Sequence, residues 1–581
     1  MSRGSKWLLL GLLSGAACSG SDIACPTDQR PCAGACQPAG QVCSQTALSL
    51  VDLLPSVGTL KPAFSPGVSE YTVQVPSWLT RVSLTPTLSQ PDGLAQVSAF
   101  QTLSGQESPA VPLLPGTTPI PVTLTSSPGG MQQYTVQAQI SQPPVRYLKA
   151  PRPGRDFLYG DAVAIFGDTL AIGVPQEEGM YAESGAVYVY RFDGKTWNLE
   201  GKLVASLAFV NWFGKSVSLS GDRIAVGVPW HSGGRGAVET FTRTGTTWGR
   251  EAVLRPQYST YEDYFGMRLS LSGDGLAVAV PNNASRMGGI NPDPSNTEMP
   301  RSGAVVVFRN PGSAWQQEAF IKAPYPDAED DFGSGLALSG SELVVGMQYE
   351  SSSARGVGGN GVDNRAPRSG AAYVYAQKNG TWRLQSYIKS SNSDAEDRFG
   401  CAVALSGGTL AISACGEASR ASGIGGDQTD NSAIEAGAVY LFGRSGDTWS
   451  QQAYVKAGFS GDGDLFGSSL ALSGDGSVLA VGVMAEAGLS LGPNTRPYDR
   501  SAINSGAAYV YRRVRGRFVQ EAYLKAPNAG ISDRYGKSIA LSPDGTSLVI
   551  GAPGEASAAA GLDGDGTDNS VYQSGAAYLY R

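Results

Sequence analysis

Histidine is almost absent from this chain, because His231 is the only one among 581 residues. General bases and zinc sites commonly use histidine, so its scarcity argues against most hydrolase and metalloenzyme chemistries. Charged residues are also few, at 16%, and the net charge is −7. Nucleic-acid binding needs clustered Lys and Arg, so we expect no nucleic-acid partner. Paired carboxylates and tyrosine nucleophiles stay open as catalytic groups.

Glycine and proline are abundant, with 76 and 35 residues beside 41% hydrophobic residues. This composition is typical of turn-rich β-proteins and not of disordered chains. The length exceeds what a single hydrophobic core accommodates, so we expect several domains.

The N-terminus reads "MSRGSKWLLLGLLSGAAC" (1–18), with two basic residues, a short apolar run and then small residues. This pattern predicts a secretory signal peptide over residues 1–17, too short for a stable membrane span. The stretch "LSGAAC" (13–18) resembles a bacterial lipoprotein signal, which implies that Cys18 is lipidated. The alternative is ordinary cleavage after Ala17. We therefore expect an exported lipoprotein of the outer membrane or cell surface, or a secreted protein.

Cysteines fall in two groups. In an exported protein, an even set within a Pro- and Gly-rich segment predicts disulfides, here two within residues 18–46, with zinc as the weaker alternative. Cys401 and Cys415 flank a predicted hairpin, "CAVALSGGTLAISAC", and form either a cross-strand disulfide or a packed pair of thiols. The N-terminal candidates are Cys25, Cys32, Cys36 and Cys43.

Residues 47–141 contain short alternating runs such as "EYTVQVP" (70–76) and "QYTVQAQI" (133–140). A period of two predicts half-buried strands. Together with "GTLKPAFSP" (58–66), these runs resemble the cadherin-like β-sandwich domain of bacterial surface proteins. The resemblance implies a spacer or adhesive module without chemistry.

The rest of the chain is periodic. Each aromatic–glycine pair precedes two apolar runs joined by a tight turn, a third such as "SGAVYVYR" (184–191), and a fourth that opens with Trp or Phe. Four short strands in each of seven units predict a seven-bladed β-propeller over residues 145–581, within an all-β protein. The pairs begin at Tyr159, Phe213, Phe265, Phe332, Phe399, Phe466 and Tyr535.

The seventh unit ends after its third strand, "GAAYLYR" (575–581). The segment "VRYLKAP" (145–151) precedes the first unit and matches "AYLKAP" (522–527), a fourth strand. We therefore predict that the N-terminal segment completes the seventh blade and removes its open edge. Deleting residues 143–151 is expected to destabilise the whole propeller.

The units resemble FG-GAP repeats of bacterial proteins and of the integrin α-chain propeller, through the aromatic–glycine pairs and the "GVP" or "GAP" segments (173–175, 227–229, 551–553). The resemblance implies a propeller that binds ligands on one face. The aspartate-rich calcium loop of integrin repeats has no counterpart in turns such as "LSGD", so those calcium sites are not transferred. We interpret the aromatic–glycine pair and the recurring Trp as packing elements.

The connections divide by length. With strands A to D in each blade, the A–B and C–D turns are short and share one face, while the B–C and D–A loops share the other. Three long B–C loops match each other, at 356–370, 423–437 and 561–575, and acidic D–A loops lie nearby. Oxygen-rich loops suit Ca²⁺, although Asp and Asn also stabilise ordinary turns. The candidate calcium ligands are Asp363, Asp430, Asp563, Asp565 and Asp568.

No catalytic constellation stands out, because the acidic residues repeat from blade to blade. The favoured interpretation is a monomeric, non-catalytic surface protein that binds a protein or glycan through its loop-rich face. A polysaccharide-acting enzyme would need carboxylates that break the repeat. A purely architectural surface protein is the third possibility.

Overall fold

The computed structural model describes residues 48–114, 116–126, 130–140, 145–179, 183–206, 212–312, 314–489 and 500–581, and the backbone of 29–32 and 35–38. The predicted signal peptide, Cys18, Cys25 and Cys43 lie outside the described residues. Cys32 and Cys36 lie on an antiparallel hairpin, Gln29–Cys32 with Ala35–Pro38, of which only the backbone is described.

The described chain is almost entirely β-structure, as predicted, and its one helical segment there is His231–Gly234. The N-terminal domain has one six-stranded sheet and two two-stranded sheets around buried side chains such as Trp78 and Tyr134. Its strands are Leu50–Pro55, Leu60–Lys61, Glu70–Val75, Arg81–Val82, Leu84–Leu88, Leu94–Val97, Phe100–Leu103, Val111–Pro112, Thr117–Ser126 and Gly130–Ile140. All pair in antiparallel fashion except Glu70–Val75 with Gly130–Ile140.

Seven antiparallel sheets follow, and each orders strands A, B, C and D side by side. They confirm the predicted propeller. Blade one has Ala162–Phe166, Thr169–Val174, Ala186–Phe192 and Trp197–Leu203, and blade two has Val217–Ser220, Arg223–Val228, Ala237–Thr244 and Thr247–Leu254. Blade three has Leu269–Ser272, Gly275–Val280, Ala304–Arg309 and Gln316–Lys322, with Gly289–Ile290 as an added edge strand. Blade four has Phe332–Ser339, Glu342–Met347, Ala371–Lys378 and Thr381–Ile388. Blade five has Phe399–Ser406, Thr409–Ala414, Ala438–Ser445 and Thr448–Val455, and blade six has Ser469–Leu472, Val478–Val483, Ala507–Val514 and Arg517–Leu524.

Blade seven is assembled from both ends of the repeat region. Its strands A to C are Ser538–Leu541, Leu548–Ala552 and Ala576–Tyr580, and its strand D is the N-terminal segment Arg146–Leu148. Tyr147 pairs with Tyr578 across this junction. The predicted closure by the N-terminal strand is therefore confirmed.

Strand A of each blade contacts strand A of the next, and the contacts close into a ring around the axis. The aromatic–glycine pairs lie at these junctions. At Gly400, φ is +93°, and an added Cβ would lie 2.3 Å from the carbonyl oxygen of Ala371 in the preceding blade. Phe399 is fully buried, and its ring meets Tyr440 edge-on at 5.4 Å. The packing interpretation of the pair holds for this reason.

The recurring tryptophans join neighbouring blades at their outer strands. Trp382 is buried, and its indole N–H donates to Glu318 on strand D of the preceding blade, 3.2 Å away. Trp248 and Trp315 donate in the same way to Glu200 and Glu251. The sequence predicted the packing but not the polar partner.

The N-terminal domain contacts the short-turn face of the propeller. The Arg515 guanidinium, at the C–D turn of blade six, donates to the Glu107 carbonyl at 2.8 Å. The Ser77 amide donates to the carbonyl of Arg581, just after the last strand, at 3.0 Å. The loop-rich face lies on the other side of the disc.

Candidate binding face and central channel

The long B–C loops do not simply project into solvent. In blade four the loop folds back along strand D, where the Gly358 amide donates to the Tyr387 carbonyl at 2.8 Å and the Lys389 amide donates to the Gly356 carbonyl at 2.9 Å. Blade five repeats this arrangement at Gly425 with Tyr454. Each loop therefore pairs with strand D through an isolated β-bridge before it reaches the surface.

A buried ion pair lies beneath each of these loops. In blade five the Lys456 ammonium contacts the Glu417 carboxylate at 2.8 Å, and both side chains are 0% exposed. The same carboxylate accepts the Tyr454 hydroxyl at 2.8 Å and the Ser419 amide at 3.2 Å. Glu417 thus connects strand D to the start of the B–C loop. Equivalent pairs are Lys149–Glu555, Lys389–Glu350 and Lys525–Glu486, at 2.5, 2.7 and 2.5 Å.

Removal from water disfavours the charge on these lysines. Burial lowers the pKa of Lys456, while the Glu417 carboxylate opposes that shift. Because the carboxylate oxygens are satisfied by hydroxyl and amide donors, the charged pair persists without an unpaired group. Replacing either residue of the pair would leave the charge of the other buried without a counter-charge.

Blades one to three depart from this pattern. In blade one the Lys202–Glu177 contact is 2.7 Å long, but the Lys202 side chain is 39% exposed. In blade three Asn283 occupies the glutamate position, and its side-chain oxygen lies 3.4 Å from the Lys322 ammonium. Burial lowers the pKa of Lys322 to about 7.

The D–A loops contain a second set of buried carboxyl groups. Asp397 accepts the amide of Asp394, three residues earlier, at 2.8 Å. Burial raises the pKa of Asp397 to about 7 and that of Asp330 to about 8. Within the acidic D–A loops, this set of carboxyl groups therefore points inward and stabilises the turn, while neighbours such as Glu396 are exposed. The equivalent residues are Asp263, Asp330, Asp464 and Asp533.

Four of the five candidate calcium ligands stabilise local turns through their own carboxylates. Each accepts the amide two residues ahead, as Asp430 does from Ser432 at 2.9 Å. This is the turn geometry that Asp favours in any loop. The others are Asp363, Asp565 and Asp568, with Arg365, Thr567 and Ser570 as donors.

Asp563, the fifth candidate, contacts the closing strand. Its carboxylate lies 2.7 Å from the Arg146 guanidinium and accepts the Tyr147 amide at 3.2 Å. The structure does not bring the five aspartates together. Over the described ranges, it contains no group of three or more His, Cys, Asp or Glu side chains placed to hold a metal ion.

Cys401 and Cys415 form a disulfide, with their Cα atoms 6.3 Å apart. Strand A bulges between Phe399 and Val403, which places Cys401 beside the end of strand B. Of the two alternatives from the sequence, the cross-strand disulfide is confirmed.

The outer surface of the loop-rich face displays apolar side chains. Tyr261, Ile434 and Ile531 are 70%, 70% and 67% exposed, on loops of three different blades. Between blades five and six, a cleft of about 320 Å³ is lined by Phe459 together with Arg420 and Arg500. Aromatic side chains and arginine are among the groups that protein interfaces favour.

A cavity of about 370 Å³ occupies the propeller axis. Every blade lines it with strand-A residues that come directly after the aromatic–glycine pair. These residues belong to the end of strand A that adjoins the D–A loops, so the cavity lies on the loop-rich side. Its charged lining residues are Asp161, Lys215, Arg268 and Lys537.

Family models match this chain in three places. The FG-GAP repeat model matches residues 382–442 and 518–580, and the cadherin-like β-sandwich model matches residues 45–139. The chain carries FG-GAP repeats behind a cadherin-like β-sandwich domain. Each matched FG-GAP unit begins in strand D of one blade and ends in strand C of the next, so the sequence repeat is offset from the blade. These domains are typical of surface or adhesion-type proteins.

Similarity to individual proteins is local. A protein of Evansella cellulosilytica whose name describes a membrane protein is 34% identical over 87 residues, 15% of this chain, and the chain spans about 13% of that relative's length. A chain in the crystal structure of the mitotic checkpoint complex is 13% identical, with a TM-score of 0.40. That alignment covers 76% of this chain and 94% of the other. Among the described residues, no helix has the length and apolar character needed to cross a membrane.

The buried Lys–Glu pairs were missed by sequence reasoning. The signal was present, because Lys389, Lys456 and Lys525 each follow their glutamate partner by 39 residues. The string "AYLKAP" predicts only a fourth strand in the sequence analysis, and the glutamate of "GEAS" has no role there. A charge that recurs at one position of every repeat indicates an internal partner as readily as a solvated surface.

Proposed function

We propose that this is an exported, non-catalytic surface protein that binds a protein or glycan partner through the loop-rich face of its propeller. One observation carries the proposal. The N-terminal domain contacts the short-turn face, through Glu107 and Ser77, and leaves the loop-rich face open. A protein held at its N-terminus, with Cys18 as the lipid anchor, would present that face to its surroundings.

The chemistry of the face supports binding. Exposed Tyr261, Ile434 and Ile531 lie on loops whose bases are fixed by buried groups. Rigid loops lose little conformational entropy on binding, so exposed apolar area contributes more of its transfer free energy to affinity. Repeated turn motifs hold these loops in place while their outer side chains differ between blades.

A binding screen on the full chain tests the proposal. The probes are cell-wall polysaccharides, matrix polysaccharides and matrix proteins, measured by surface plasmon resonance. A triple variant, Tyr261→Ser, Ile434→Ser and Ile531→Ser, should lose at least tenfold in affinity for any ligand that saturates the wild type. The matched control is Phe166→Ser, which removes an exposed aromatic ring from the short-turn face.

Two results would overturn it. Equal affinity of the triple variant and the control would place the binding surface elsewhere. Turnover of a polysaccharide by the wild type would replace the binding function with an enzymatic one. Lipidation is tested separately, by labelling with a fatty-acid analogue and by Cys18→Ser, which should abolish the label.

A further inference from the structure

The axial cavity has an unbalanced set of charges. Lys215 pairs with Asp161 of the neighbouring blade, with the ammonium 2.8 Å from the carboxylate. Within the described part of the chain, neither the Lys537 ammonium nor the Arg268 guanidinium takes part in an ion pair or hydrogen bond. Among the residues that line the cavity, three cations therefore stand against one carboxylate, which is already paired, while the Asp331 carboxylate behind the lining attracts Arg268.

The cations are close enough to repel one another. Burial lowers the pKa of Lys537, the Asp161 carboxylate opposes that shift, and the charges of Lys215, Arg268 and Arg534 lower the pKa further. Repulsion among partly buried cations is unfavourable, and a bound anion would relieve it. The fold brings these cations together because strand A of every blade lies beside the propeller axis.

Two of the hydroxyl groups in the wall donate to carbonyls of a neighbouring blade. Ser216 donates to the Gly266 carbonyl at 2.7 Å, and Ser538 donates to the Gly160 carbonyl at 2.7 Å, both across blade junctions. These hydrogen bonds hold neighbouring blades together and are not available to a ligand. The groups left to contact a ligand are therefore the cationic side chains of Lys537 and Arg268, with the Ser468 hydroxyl, which accepts the Met484 amide at 3.1 Å, as a further donor.

We propose that the axial cavity is a binding site for one compact oxyanion, a carboxylate, sulfate or phosphate group, held by Lys537 and Arg268 with Lys215 beside them. A cavity of about 370 Å³ is large enough for such a group with water, or for an acidic side chain inserted from a partner. Arg268 supplies a planar fork suited to paired oxygens, and Lys537 supplies a point charge. The site goes beyond the proposed surface-binding function, since its ligand lies on the axis and not on the outer loops.

The test is thermal unfolding of the full chain at low ionic strength, titrated with sodium sulfate, phosphate or acetate against sodium chloride of equal ionic strength. Wild type should show a saturable rise in Tm of roughly 2–5 °C at a hundredfold excess over Kd. Lys537→Met and Arg268→Gln should lose the saturable part. Lys195→Met, which removes an exposed lysine on the short-turn face, should keep it.

Folding of the variants supplies a second readout. Lys537→Met removes a repelled ammonium, so without the anion its Tm should equal or exceed that of wild type. A capped glutamate tripeptide, compared with acetate at equal carboxylate concentration, distinguishes an acidic group on a partner from a free anion. An unchanged response in Lys537→Met, or a rise that fails to saturate in all proteins, would overturn the proposal.

Discussion

Blades four to seven and blades one to three share a strand plan but differ beneath the loop-rich face. In the first group a fully buried lysine pairs with a buried glutamate at the base of a long B–C loop, as in Lys456 with Glu417. In the second group the pair is half-exposed, as at Lys202, or lacks the carboxylate, as at Asn283. Blades one and two also have the short B–C loops. Blade three lacks the carboxylate but has a long B–C loop, between Val280 and Ala304, so the blade itself does not need the pair, and we infer that in blades four to seven the pair anchors the loop.

We expect the largest loss of stability from a substitution in blade seven. Lys149 pairs with Glu555 and also belongs to the segment that closes the ring, where its amide donates to the Gly561 carbonyl at 2.9 Å. Lys149→Met should cost about 3–5 kcal/mol from the unpaired glutamate, and more if the closing strand detaches. Urea unfolding followed by tryptophan fluorescence checks this. A loss below that of Lys456→Met would contradict the closing role.

Equivalent lysines in the two groups should differ in their effect. We expect Lys456→Met to lower the free energy of unfolding by about 3–5 kcal/mol, because Glu417 would remain buried without its partner. Lys202→Met in blade one should cost less, about 1–3 kcal/mol, because the Lys202 ammonium is 39% exposed and the 7% exposed Glu177 carboxylate keeps the Tyr188 hydroxyl as a donor. The same urea experiment compares them. Equal losses would show that burial does not distinguish the groups.

The D–A aspartates predict a pH dependence. Burial raises the folded pKa of Asp397 to about 7, above its ordinary value of 3.8. The contribution of Asp397 to the free energy of unfolding is therefore fully present below pH 4 and is lost as the pH rises through 7. The free energy of unfolding should decrease between pH 5 and pH 8, and in Asp397→Asn this decrease should be smaller by about 1–4 kcal/mol. Thermal unfolding at each pH checks this, with exposed Asp447→Asn as the control. Parallel profiles would contradict it.

Blade three offers the reverse experiment. Asn283→Glu places a carboxylate where blades four to seven have one, opposite Lys322. We expect a gain of about 1 kcal/mol, because a charge-assisted hydrogen bond replaces a weaker contact. Asn283→Gln lengthens the side chain without charge and serves as the control. A loss of stability in the glutamate variant alone would show that blade three cannot accept the pair.

Much of the fold could be predicted because it is local and periodic. Aromatic–glycine pairs and alternating runs repeat, so counting strands placed the N-terminal segment beside Tyr578. Side-chain direction in loops could not be predicted. Asp397 and Asp394 look alike in sequence, but only the fold shows that Asp397 is buried while Asp394 is partly exposed. Docking of the N-terminal domain through Glu107 depends on contacts more than 400 residues apart, which no local pattern reveals.

Hydrogen–deuterium exchange of the B–C loops tests most directly whether buried ion pairs hold the binding face in place. Lys456→Met should accelerate exchange in residues 423–437 of blade five, where the loop pairs with strand D through Gly425 and Tyr454. The matching loop of blade four, residues 356–370, should be unchanged because its Lys389–Glu350 pair is intact. Unchanged exchange in residues 423–437, or equal acceleration in both loops, would contradict the account.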